Sequence, residues 1–447
     1  MSNLDLFHVS EDERARAAAH ARMAATQAAS IPDIPASTPL RPVNRIAVIG
    51  AGTMGGGIAM SLANIGIPVT LIDSSEQGLE RGLARVKDNY ATTVKRGKLS
   101  PAEMEQRLAC ISGSIEMAAV KDADMVIEAV FEDMGLKQDI FRQLDTLAKP
   151  GAILATNTSG LDVDAIAAVT SRPQDVVGAH FFSPAHVMKL LEVVRGARTA
   201  PDVIATLMDL GRRMGKIAVL SRIYPGFIGN ALFRHYTREA HFLVEDGALP
   251  HEVDAALKKF GYAMGIFAVH DMAGNDVGYQ TRKAQMATRP TDRRWNDLIL
   301  KLCDLGRLGQ KSGKGWYRYE AGDRTPQRDP ELERFIVEES ARMGIVRQPI
   351  SEDDIIKRCL YGMVNEGARL LEHGIALRPS DIDITYLTGY GFPAHQGGPM
   401  FIADRIGLPQ VLADIERLHA EYGFWWQPAP LLQKLVREGK NFADLPH

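Results

Sequence analysis

The stretch "NRIAVIGAGTMGGGIAMSLANIGIPVTLID", residues 44–73, contains in order a short apolar run, a glycine turn, a helical pattern and a second apolar run. That order is one βαβ unit, and the glycine spacing says what its turn is for. Gly50, Gly52 and Gly55 form G-x-G-x-x-G: the first permits a tight turn, the second lets backbone approach a pyrophosphate, and the third packs helix on strand. Phosphate then sits at the helix N-terminus, with Thr53 and Met54 in its first turn, where free N–H groups and the dipole favour an anion. Asp73 ends the second strand, where a carboxylate accepts both ribose hydroxyls and repels a 2′-phosphate. NAD is therefore expected over NADP, with FAD as the rival dinucleotide.

Further strands are predicted in "DMVIEAV" (124–130), "AILATNTS" (152–159) and "DVVGAHFF" (175–182), separated by helical patterns such as "MGLKQDIFRQLDTLA" (134–148). Strands alternating with helices imply a doubly wound parallel sheet. Ligands in such sheets bind beyond the carboxyl ends of the strands. The polar residues Glu132, Asn157, Ser159 and His180 cluster there, with Ala129 on the cofactor side.

"VVGAHFFSPAHVMKLLEVVRG", residues 176–196, sets His180, His186 and Glu192 in apolar surroundings. Three uses compete: a metal site, a proton-transferring His–Glu pair, or hydrogen-bonded structural groups. A histidine in an apolar run is more often structural, but the place of His180 at a strand end beside the cofactor favours proton transfer. "MKLLEVV" alternates, which puts Leu190, Glu192 and Val194 on one face. A carboxylate between apolar neighbours requires a partner, and an imidazole supplies it. A catalytic zinc shows denser ligand clustering, so no metal is expected. His186, in the connecting loop, is read as structural or surface exposed.

Two later segments resemble each other: "EAHFLVEDGALPHEVDAAL" from Glu239 and "EGARLLEHGIALRPSDIDI" from Glu366. Each runs on to an Asp-x-x-Gly, "DMAG" at Asp271 and "DRIG" at Asp404, so a duplicated helical module is the economical reading. Each copy is expected to bury one face against its twin, and the second copy is expected to be structural. The boundary falls at "SRIYPGFIGN", where Pro225 and Gly226 precede a helix containing Asn230. "RLGQKSGKGWYRYE" (307–320) lacks the spacing of a phosphate loop and reads as a bend into a short strand carrying Trp316, Tyr317 and Tyr319.

The remaining chain sets limits. With 447 residues, two or three domains are expected; 45% hydrophobic and 24% charged residues with a net charge of -3 give no reason to expect nucleic acid. No run reaches the roughly 18 apolar residues of a membrane span. Cys110, Cys303 and Cys359 are too scattered for disulfides or zinc, which fits a reducing compartment; a cytoplasmic location is expected. An N-terminal helix leads into "IPDIPASTPLRP", whose prolines mark residues 31–43 as a linker. "ATTVKRGKLSPAEMEQRL" (91–108) reads as a helical hairpin.

Taken together, "VIGAGTMGGGIA", "NTSGL", "HFFSPAHVMKLLEVV" and "PGFIGNAL" resemble the 3-hydroxyacyl-CoA dehydrogenase family, collinearly over about residues 44–320. The second helical copy resembles the extra C-terminal repeat of the multifunctional β-oxidation enzymes. The N-terminal helix and "IPDIPASTPLRP" resemble the segment joining their enoyl-CoA hydratase domain to the dehydrogenase, and that hydratase domain has no counterpart here. The resemblance implies a Rossmann-type NAD-binding domain (44–222) behind an N-terminal segment (1–43), followed by an all-α part of two helical modules (223–325 and 326–447). It implies NAD-dependent oxidation of (S)-3-hydroxyacyl-CoA. His180 matches the catalytic base, Glu192 its partner, and Ser159 and Asn230 the hydrogen-bonders near the reacting oxygen. Glu132 and Lys137 match cofactor-side positions, and Asp73 the ribose carboxylate. Ser183 and Gly160 depart from the family, which has Asn and a second Ser there in many members. Lys95, Arg96 and Lys98 could meet CoA phosphates or be solvated charge. Rival readings are a related 3-hydroxy acid or sugar-acid dehydrogenase, whose lysine base would stand where Asn230 does, and a non-catalytic NAD-binding subunit. Homodimer and monomer both fit, as does association with other β-oxidation enzymes.

Overall fold

The computed structural model of the chain describes residues 7–445. Helix α1 (Glu11–Ala28) is followed by the strands β1 (Ile46–Ile49), β2 (Val69–Ile72), β3 (Ile111–Ser114), β4 (Met125–Glu128), β5 (Ile153–Thr156), β6 (Val176–Phe181), β7 (Leu190–Arg195) and β8 (Ile217–Arg222). They form one eight-stranded sheet in the order β3-β2-β1-β4-β5-β6-β7-β8. Its central strands carry apolar residues on both faces because helices cover both. Between the strands lie α2 (Thr53–Ala63), α3 (Glu76–Lys95), α4 (Pro101–Ala109), α5 (Met134–Leu147), α6 (Val163–Ala167) and α7 (Pro201–Arg213). Ile58 and Leu62 of α2 and Leu207 of α7 join Val48, Leu71 and Ile127 in one core layer. Phe141 and Leu144 of α5 and Ile166 of α6 join Ile72, Val126 and Leu154 in the other. Full burial of one such side chain stabilises by roughly 1.5–3 kcal/mol.

The expected all-parallel sheet is corrected at one place. β6 and β7 are antiparallel, with His180 opposite Glu192 in the register. The loop 182–189 explains this: a parallel return needs a crossover of roughly a dozen residues or more, and the connection is shorter. The predicted hairpin is formed by α3 and α4, each capped by a serine, Ser75 and Ser100. The proline-rich 31–43 segment is pinned down: Ile31, Ile34 and Val43 enter the first core layer. Arg41 there pairs with Asp175 at 2.7 Å and Asp202 at 2.8 Å.

The rest is helical: α8 (Gly229–Asp246), α9 (Pro250–Phe260), α10 (Ile266–Ala273), α11 (Tyr279–Gln285), α12 (Leu298–Asp304), α13 (Pro330–Arg342), α14 (Glu352–Glu372), α15 (Pro379–Gly389), α16 (Pro399–Ile406), α17 (Leu408–Tyr422) and α18 (Pro430–Glu438). The duplication is visible in hydrogen bonding. Asp271 of α10 accepts from the N–H groups of Trp316 and Tyr317, both at 2.9 Å. Asp404 of α16 accepts from those of Phe442 and Ala443, at 2.8 and 2.9 Å. Gly274 and Gly407, which end these helices, share one backbone conformation, φ 101° and 98° with ψ 120°. The two copies are also tied together, because Arg358 of α14 pairs with Glu239 and Asp246 of α8. The bend at 307–320 is present, but its short strand is reduced to isolated bridges such as Lys314–Arg318. Asp271 takes the N–H groups that a ladder would have used.

The chain makes two compact units. One comprises His20–Ala231 and His373–Tyr390, the sheet with its helices and α15. The other comprises residues 7–19, Leu232–Glu372 and Gly391–Leu445.

Candidate functional site

At the end of β1, Gly50 takes φ +100°, and a Cβ there would stand 2.6 Å from Ala129 O. A Cβ on Gly55 would stand 1.7 Å from Gly50 O. Both glycines are therefore demanded by packing. Gly52 differs, since a Cβ there would meet nothing within 4 Å. It precedes α2 without any side-chain cap, so the N–H groups of the first turn, including those of Thr53 and Met54, face an open surface. Asp73 stands beside the turn, accepting from Ala51 N at 3.0 Å. An open cradle beside an unblocked helix start, with a carboxylate at its rim, fits a dinucleotide.

The next strand ends carry a polar network. Glu128, fully buried at the end of β4, accepts from Lys137 Nζ, Thr156 Oγ1 and Val130 N at 2.7, 2.7 and 2.8 Å. Lys137 is itself fully buried and also donates to Asn157 O at 3.2 Å. Its ammonium thus lies behind the site, 3.7 Å from Glu132. Glu132 Oε1 accepts from Thr158 Oγ1, Ser159 N and Ser159 Oγ at 2.7, 2.7 and 2.9 Å. Asn157 Oδ1 accepts from Phe181 N, which fixes the end of β6. Sequence reasoning missed Glu128. Its signal was a lone carboxylate inside an apolar strand, which must find a buried cation.

His180 and Glu192 face each other across β6 and β7, with Nδ1 and Oε2 2.6 Å apart. Glu192 is wholly buried, and its Oε1 accepts from Ile228 N at 3.1 Å and Gly229 N at 2.9 Å, where α8 begins. Those N–H groups are aimed by a sharp turn: Gly226 has φ 82° and Phe227 φ 53°, the one non-glycine residue at positive φ among those described. A side chain held there costs about 1–2 kcal/mol, so surrounding contacts must hold it. Phe182 and Phe227 wall the imidazole at ring distances of 4.3 and 5.8 Å. With Nδ1 committed to Glu192, Nε2 is the nitrogen left for a reacting group.

Asn230, also in the first turn of α8, donates from Nδ2 to Ser159 O at 3.2 Å and accepts at Oδ1 from the Tyr390 hydroxyl at 2.7 Å. His180, Glu192, Ser159 and Asn230 are thus linked by β6, β7 and the start of α8. Tyr390 belongs to the second helical copy, for which the sequence alone predicts a structural part. His186 stands apart, half-buried in the 182–189 loop, where burial and the nearby Lys216 push its pKa down. Lys216 was also missed. Its Nζ donates to Ala185 O at 2.6 Å and Met188 O at 2.8 Å, holding that loop, and burial lowers its pKa to about 8. Among the described residues no group of three His, Cys, Asp or Glu side chains could hold a metal ion, and no helix is long and apolar enough to cross a membrane.

Residues 45–223 match the family described as 3-hydroxyacyl-CoA dehydrogenase, NAD binding domain. Residues 226–319 and again 355–443 match the 3-hydroxyacyl-CoA dehydrogenase C-terminal domain. The peroxisomal bifunctional enzyme of Danio rerio is 46% identical over 413 residues, 89% of this chain and 57% of that protein. The chain therefore spans little more than half the length of that relative. The crystal structure of 3-hydroxybutyryl-CoA dehydrogenase from Escherichia coli is similar with a TM-score of 0.76 at 29% identity, covering 89% of this chain and 99% of that one. The dehydrogenase part of multifunctional enzyme 1 from C. elegans is similar with a TM-score of 0.68 at 30% identity, covering 97% and 99%. One expectation is overturned. Curated relatives from fish, mammals and plants, 34% to 46% identical, are consistently named peroxisomal or glyoxysomal, against the expected cytoplasmic location. Scarce, scattered cysteines do not distinguish one compartment from another.

Proposed function

The chain belongs to the 3-hydroxyacyl-CoA dehydrogenase family, with its NAD-binding domain followed by its C-terminal domain, and on that footing we propose that it catalyses the reversible NAD-dependent oxidation of (S)-3-hydroxyacyl-CoA to 3-oxoacyl-CoA. The two C-terminal matches are read as the helical modules 223–325 and 326–447 behind the 44–222 domain. The observation that carries the proposal is the buried His180–Glu192 pair at the carboxyl end of β6, on the strand edge where ligands of such sheets bind.

The turn at Gly50, Gly52 and Gly55 and the start of α2 would hold the pyrophosphate, and Asp73 the ribose. When bound there, NAD supplies the hydride acceptor. The chain's own residues manage the proton. His180 Nε2 takes the hydroxyl proton as the carbon loses hydride; such a positioned base is worth roughly 10² to 10⁴ in rate, about 3–5 kcal/mol. Glu192 keeps the Nδ1–H directed inward and stabilises the imidazolium that forms. Ser159 gives its hydroxyl hydrogen to Glu132; turning that hydroxyl would let it donate to the substrate oxygen, as the family resemblance implies. Asn230 has a second amide N–H for a carbonyl oxygen of the acyl-CoA. Lys95, Arg96 and Lys98, exposed at the end of α3 and in the turn beyond it, are the cations we assign to the CoA phosphates.

The test is NADH consumption with acetoacetyl-CoA, with free acetoacetate and with a sugar acid. Consumption with the acyl-CoA alone is expected. NADH binding without consumption at any acyl-CoA chain length would overturn the proposal in favour of a non-catalytic subunit.

A further inference from the structure

Tyr390 closes α15, so it comes from the second helical copy, yet it lies in the same unit as the sheet and reaches Asn230. An asparagine amide has two nearly isosteric orientations that exchange its oxygen and nitrogen. Here both ends are specified. Ser159 O can only accept, so it takes Nδ2; the Tyr390 hydroxyl then donates to Oδ1. One amide hydrogen remains, and its direction is set by these two bonds.

The tyrosine ring is itself held on several sides. It stacks on Tyr386 at 4.8 Å and 15°, and meets the edge of Phe182 at 5.5 Å and 76°, the same Phe182 that walls His180. Tyr386 donates to Gly229 O at 3.1 Å, fastening α15 to the first turn of α8. Gly229 makes room for the contact: a Cβ there would stand 2.4 Å from the Tyr390 ring. The same Gly229 gives its N–H to Glu192.

We propose that Tyr390 is a positioning residue: through its hydroxyl it fixes the Asn230 amide so that the remaining N–H points at the acyl-CoA oxygen, and the second helical copy is thereby part of the active site. The inference rests on the role given to Asn230 above. Its test compares Tyr390→Phe, Asn230→Ala and the double variant in the full chain, using NADH and acetoacetyl-CoA, with NADH affinity and thermal melting measured alongside. Tyr390→Phe keeps the ring and is expected to melt normally, bind NADH normally and lose kcat roughly tenfold with KM for NADH unchanged. On the Asn230→Ala background it should cost less than about twofold, because both changes remove the same function. Normal kcat in Tyr390→Phe, or losses that multiply in the double variant, would overturn the positioning role while Asn230→Ala remains impaired. A fully active Asn230→Ala would instead overturn the reading of Asn230 itself, and this inference with it.

Discussion

Glu192 makes three hydrogen bonds and touches no water, so its charge is committed to His180 on one side and to two backbone N–H groups on the other. Burying a carboxylate without such partners would cost several kcal/mol, and the β6 histidine and the start of α8 together offset that cost. The imidazole it orients is expected to be needed for proton transfer and not for cofactor binding. His180→Gln should bind NADH as the unaltered protein does while turnover falls at least about a hundredfold; fluorescence titration and steady-state rates separate the two, and unimpaired turnover would contradict the assignment. The pairing of these two side chains was legible because strand alternation put Glu192 on a buried face, where it needs a partner, and put His180 at the end of the neighbouring strand. Lys137 was less legible. Its side chain is wholly buried and bonded to Glu128 and Asn157 O, and a lysine's burial is decided by what packs over it.

Among elements, the glycine turn separates fold from binding. Gly55→Ala puts a methyl into Gly50 O and should lower the melting temperature markedly, whereas Gly52→Ala meets no protein atom and should leave melting unchanged while weakening NADH binding. Equal effects of the two on both measurements would refute the distinction. The loop after β6 gives a pH prediction. Burial holds Lys216 near 8, against an ordinary 10.5, so between these values the unfolded chain binds more protons than the folded one. The burial penalty is complete below pH 8 and lifts as pH rises towards 10.5. Relative to Lys216→Met, the unaltered protein should therefore gain stability from pH 7 to pH 10, seen as a rise in its melting temperature minus that of the variant; a fall in that difference would contradict it. The central strands were legible from their apolar runs. β3, "ISGS", was not, because its residues are exposed or only partly buried and carry one large apolar side chain, Ile111, and the direction of β7 is set by loop length, not by its own pattern.

For the whole molecule, duplication was legible from the paired Asp-x-x-Gly segments, but the destination of α15 was not, since sequence similarity between copies does not say which neighbours each will meet. α15 joins the sheet unit: Arg378, just before it, donates to Gln27 O and Ser30 O, and Gly389 abuts Leu190. A chain cut after residue 325 would uncover these surfaces, and its melting temperature should fall well below that of the full chain by circular dichroism; an unchanged value would show that α15 adds nothing to the sheet. The paired aspartates carry one more implication. Because Asp271 and Asp404 each clasp the tail of their own copy, a duplication event inserts a finished buckle and leaves no dangling end to be accommodated. With Tyr390 bonded to Asn230 at the start of α8, the second piece cannot be removed without breaking a bond to the first.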